Sequence, residues 1–224
     1  MQALSTDAVN ETEDVQTADD RLHRLSEDLS VGLIHEVVAS AYDYVVGLSD
    51  FAPSNGRGLE LYIRATENIR GRLQSVGWRV ENISEVPSIA SVADKVRIVC
   101  TTAGDGRVGN RGCGGPAIRD RGIGTLRLAG VENKMDPIPG IEEYLGDDAL
   151  DKHDDFDFYY LILHVDSRLE EIRIEFSAPS FDENGALVGW TDRIIIPPLS
   201  TKDEPPVDTT AAPAPDIEVV RKTA

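Results

Sequence analysis

Apolar side chains recur every three or four residues near the start of the chain, at Leu22, Leu25, Leu29, Leu33, Val37, Val38, Ala41, Val45 and Leu48. That spacing predicts one amphipathic helix, with Gly32 as the point where it can break. A turn-rich link, Phe51–Gly58, leads to a second predicted helix with Leu59, Ile63, Ile69, Leu73 and Val76 on its apolar face. Gly77 stands where a left-handed stop would end it. The period then falls to two. Trp78–Ile83 and Lys95–Thr101 read as strands, with Ser84–Ala93 a loop or short helix between them. Tyr159, Leu161, Leu163 and Val165 share one strand face, and Ile172, Ile174 and Phe176 alternate with Glu171, Arg173 and Glu175. Asp166–Glu170 is the hairpin loop joining them, and Leu187–Trp190 and Arg193–Ile196 extend the meander after a turn at Asn184-Gly185.

Helices first and an antiparallel run later give an α+β fold, two N-terminal helices packed on a mainly antiparallel sheet. Residues 1–20 carry six acids and no apolar periodicity, the composition of a disordered acidic tail. Residues 201–224 hold Pro205, Pro206, Pro213 and Pro215 among Ala, Thr and Asp, the composition of an extended, Pro/Ala-rich tail. A single domain is expected between them, over residues 21–200.

Charge narrows the function. Lys plus Arg is 22 against 40 for Asp plus Glu, a net charge of -18. Such a chain repels nucleic-acid phosphates and anionic membranes on average. Its longest apolar stretch, Phe158–Leu163, falls far short of the roughly 20 residues that span a bilayer. The acidic start lacks the basic and apolar regions of a secretory leader, and two cysteines, Cys100 and Cys113, make no disulfide framework. A cytoplasmic protein with reduced thiols is the expectation. His35-Glu36 opens like a zinc-protease helix, but Ala39 stands where the second histidine is needed.

Against this acidic background one segment is basic. Nine of the 19 glycines fall between Gly104 and Gly130, with Arg107, Arg111, Arg119, Arg121 and Arg127 against Asp105 and Asp120. Gly104, Gly106 and Gly109 fit the Gly-x-Gly-x-x-Gly spacing that brings backbone amides to a pyrophosphate. The helix start that must follow is absent, because Asn110–Pro116 is again rich in glycine and ends in proline. A looser reading keeps Gly104, Gly106, Arg107, Gly109, Arg111, Arg119 and Arg121 as an anion-binding loop for a phosphate, a nucleic-acid backbone or a carboxylate-rich partner. A plain surface loop, or one docked on the chain's own acidic groups, is the competing expectation.

A second constellation is catalytic in type. Asp120, then Glu132-Asn133-Lys134, with Glu60 on the second helix, resembles the restriction-endonuclease-like family. The resemblance implies a divalent-metal phosphodiesterase, with Asp120 and Glu132 holding magnesium, Lys134 polarising the water and Glu60 in support. Without it, no cofactor is implied. Directly afterwards, residues 131–157 carry ten acids against Lys134 and Lys152, a charge run that reads as a solvated face or as an acidic DNA mimic. His164 and Asp166 share a strand face and could exchange protons, and Cys113 sits among arginines that can lower a thiol's pKa. The leading expectation is an accessory protein without chemistry of its own, binding a protein partner through the basic loop, the acidic segment or both. The nuclease and the DNA mimic are its alternatives.

Overall fold

The computed structural model describes residues 17–83, 85–104, 106–115, 118, 156–182 and 186–202. Among these, three helices precede and flank a six-stranded sheet, an α+β arrangement. The first predicted helix is two. Helix α1 covers residues 17–25 and α2 covers Val31–Val46. The break falls before Gly32, where Ser30 takes an extended conformation and its side chain accepts the Leu33 N–H, capping α2. Asp19 does the same for the Val31 N–H at 2.6 Å. Residues 17–20, assigned by composition to the acidic tail, belong to α1, and Ala18 is buried. Residues 1–16 and 203–224 lie outside the described residues.

Helix α3, Gly56–Gln74, corrects the predicted apolar face. It buries Leu61, Ala65, Thr66, Ile69 and Leu73, while Leu59, Ile63 and Val76 are 52%, 43% and 56% exposed. The chain leaves the helix through Gly77 at a φ of 103°, as expected of a glycine there.

Strands β1 (Arg79–Ile83), β2 (Val86–Ser91), β3 (Val96–Thr102), β4 (Asp157–Asp166), β5 (Glu171–Phe181) and β6 (Leu187–Ser200) lie side by side in chain order. All neighbours are antiparallel except β3 and β4, which run parallel and need a crossover of the chain between them. Strand β2 replaces the predicted loop or short helix. Pro87 is tolerated because it lies beyond the stretch of β2 that pairs with β3. The two segments predicted after residue 186 are one strand, β6, with register shifts against β5.

Both faces of the sheet are covered. On one, Ile98, Cys100, Tyr159, Leu161, Leu163, Ile174, Phe176 and Ile194 pack under the helices. On the other, Val99, Phe158, Tyr160 and Ile162 are buried with Val108, Ile118 and Trp190. The second layer is thus supplied partly by the glycine-rich segment after β3. Gly115 lies so close that a Cβ there would stand 2.4 Å from the Trp190 indole.

Candidate functional site

The second face carries charge as well as apolar surface. Alternation along β5 points Glu171, Arg173, Glu175 and Ser177 to this side, and the register with β6 sets Arg193 opposite Ser177. Glu175 is fully buried. Arg193 meets it through two hydrogen bonds, Nε to Oε1 at 2.7 Å and Nη2 to Oε2 at 2.9 Å, the bidentate fork that suits guanidinium and carboxylate. Ser177 donates to Oε1 at 2.6 Å. The Glu175 hydrogen bonds push the Arg193 pKa above its ordinary value, against the opposing effect of burial.

These strand side chains hold the main chain of the basic loop. The Gly109 N–H donates to Glu175 Oε2 at 3.0 Å. Arg193 donates to the Cys113 carbonyl at 2.9 Å and the Asn110 carbonyl at 3.3 Å, and Arg173 donates to the Gly106 carbonyl at 2.6 Å. Arg173 is fixed in turn by Glu171 at 2.8 Å and Asp166 at 3.0 Å. His164 Nδ1 donates to the Ala103 carbonyl at 2.9 Å, closing the loop's root.

This geometry re-sorts the expected anion-binding set. The Gly109 amide, expected to face a phosphate, faces the chain's own Glu175, and Gly106 presents its carbonyl to Arg173. Gly104, Gly106, Arg107 and Arg111 are exposed, and Arg111 stands at the side of the loop next to Arg173 and Arg193. Arg119 and Arg121 lie outside the described residues. Two open clefts flank Arg111. One, of about 370 Å³, is lined by Thr17, Ala18, Arg21, Arg193, Ile194 and Ile195; the other, of about 380 Å³, by the loop, Arg173, Pro197 and Pro198. Arg21 is paired with Asp192 beside the first cleft.

Of the nuclease constellation, Asp120, Glu132 and Lys134 lie outside the described residues, as does most of the acidic segment. Glu60 is on α3, paired with Arg64 at 2.9 Å in an i,i+4 bridge. Among the described residues no group of three or more His, Cys, Asp or Glu is gathered as a metal site. Asp166 accepts from the Arg168 and Leu169 amides in the β4–β5 turn. Burial works against the charge of Asp166, yet those amides and Arg173 bring its pKa below the ordinary carboxylate value. His164 and Asp166 are therefore both engaged with the chain itself. Cys113 is half-buried, and Cys100 is buried under α3, which pushes its thiol pKa up to about 12.

The strand charges that mount the loop were missed in the sequence, where Glu171, Arg173 and Glu175 stand only as the residues alternating with Ile172, Ile174 and Phe176. Among the described residues no helix is long and apolar enough to cross a membrane. Compared with known proteins, the chain matches no family model, and no curated protein or solved structure is significantly similar to it.

Proposed function

We propose that this chain is a binding module that engages a protein partner through the exposed arginines of the loop at residues 104–115. One observation carries the reading: Arg173, Glu175 and Arg193 hold four main-chain groups of the loop from beneath, leaving Arg107 and Arg111 exposed on a fixed backbone. A mounted loop loses less conformational entropy on binding than a free one, which favours recognition by the side chains it displays. A small phosphate would want the inward-facing Gly109 amide, whereas a carboxylate-bearing protein segment needs only the exposed arginines. A long nucleic acid would meet the repulsion of the whole molecule, at -18; a short acidic peptide confines its charge to the contact.

The test is fluorescence anisotropy with a short glutamate-rich peptide and, in parallel, a single-stranded oligonucleotide. The expected result is saturable, salt-sensitive peptide binding that the double variant R107E/R111E weakens at least about tenfold, the effect of losing about 1.4 kcal/mol. Equal peptide binding by the double variant would refute the loop as the contact. Preference for the oligonucleotide would refute the protein partner.

A further inference from the structure

One of the two clefts beside Arg111 lies where the chain enters α1. Thr17 and Ala18, the first two residues of that helix, line it together with Arg21, Arg111, Arg193, Ile194 and Ile195. Three guanidiniums, from α1, the loop and β6, thus line one opening of about 370 Å³. Arg193 is forked on Glu175. Arg21 pairs with Asp192 and donates to the Arg193 carbonyl at 2.7 Å. A guanidinium carries five N–H donors, so these two contacts leave Arg21 donors for a further carboxylate. Arg111 is exposed at the rim, on a loop whose residues 106–115 contain two arginines and no acid.

The chain that leads into Thr17 has the opposite sign. Residues 1–16 hold Asp7, Glu11, Glu13 and Asp14, and no Lys, Arg or His. Connectivity keeps these acids close. A fully extended chain spans at most about 3.6 Å per residue, so Asp14 and Glu13 lie no farther than about 11 and 14 Å from Thr17. A segment tethered this closely has an effective concentration in the millimolar range. The opposite end of the described chain is placed less well. The Thr201 N–H donates to the Glu170 carbonyl and Lys202 pairs with Glu170, so the chain leaves β6 beside the acids of the β4–β5 turn. Residues 203–224 also mix Arg221 and Lys222 with their acids.

We infer that residues 7–14 dock in cis on the Arg111 cleft and cover the contact surface until an acidic partner displaces them. This rests on the reading of the loop as a contact for carboxylate-bearing segments, and adds that the chain carries its own competitor. The cover lowers partner affinity in proportion to the time it is seated. A segment docked two-thirds of the time raises the apparent Kd about threefold. Salt weakens the contact by screening it.

Amide spectra of the full chain, with no peptide added, test the contact first. The variant D7N/E11Q/E13Q/D14N keeps the length of the segment and removes its charge. It should shift the amides of residues 109–113 while α3 and β1 stay unmoved, and an R111E background should lose most of these shifts. Peptide anisotropy then tests the competition. The neutralised chain should bind the glutamate-rich peptide at least about threefold more tightly than the parent at low salt, the gap closing as salt rises. Loop amides that do not respond to neutralisation overturn the inference, and the loop reading survives this if the peptide still binds through Arg107 and Arg111. A response to D203N/E204Q/D208N in its place also overturns it, by putting the C-terminal segment in the cleft. So does equal peptide binding by parent and neutralised chain, since a docked segment must compete. Loop shifts with no peptide binding by either form would instead sink the partner reading and uphold the cis contact.

Discussion

Replacing Arg193 by alanine removes the counter-charge from a fully buried carboxylate. Glu175 would keep two of its donors, the Ser177 hydroxyl and the Gly109 amide, but lose the bidentate guanidinium. Breaking a buried pair from one side costs about 3–5 kcal/mol, and the two surviving donors place this case at about 3 kcal/mol. Urea unfolding at pH 7 should read that as a lower midpoint at unchanged slope. Replacing both members with leucine should recover most of the stability, since no buried charge is left unpaired. A loss below about 1 kcal/mol for R193A would refute the claim that this pair holds the second face together.

Three further outcomes follow from the same structure. Gly115→Ala combines a φ of 101° with a Cβ 2.4 Å from the Trp190 ring, and calorimetry should show destabilisation by about 2 kcal/mol or more. Thr66→Val removes a buried hydroxyl on α3 whose polar neighbour is the weakly bonding Cys100 thiol, and should leave stability in urea titration within about 1 kcal/mol of the parent. With its thiol pushed up to about 12 by burial, Cys100 should resist a thiol reagent at pH 8 in the native chain and react only on unfolding, leaving Cys113 as the native reactive group.

How far the sequence foretold this depends on where each apolar residue had company. The alternation in β4 and β5 was readable because one face of each strand is uniformly large and apolar. The unbroken run from Phe158 to Leu163 is buried on both faces, a pattern the one-face reading of this strand passed over. Strand β2 was missed because Ser88, Ala90 and Ser91 are small and polar or nearly so, and carry no apolar alternation although all three are buried. On α3 two i,i+4 series compete, Leu59–Ile63 and Leu61–Ala65–Ile69–Leu73. Hydrophobicity favours the bulkier residues, whereas close packing selected the series containing Ala65, which is fully buried.

The loop shows a different limit. Its glycines and arginines were legible as a basic element, but its partners lie about 60 to 80 residues later in the chain, on Arg173, Glu175 and Arg193. Charged residues alternating along a strand look the same whether water or a loop covers them. A usable hint was the pairing of signs: Glu175 on one strand and Arg193 on the next, both on the side away from the helices.

The central claim is that the mounted loop, through Arg107 and Arg111, is the contact surface. Amide chemical-shift mapping tests it most directly, with a short glutamate-rich peptide titrated into isotope-labelled protein. The account predicts saturable shifts concentrated at residues 106–113, with α3 and β1 unmoved and the shifts abolished in R107E/R111E. Saturable shifts confined to another surface, or the same loop shifts in the charge-reversed variant, would contradict it.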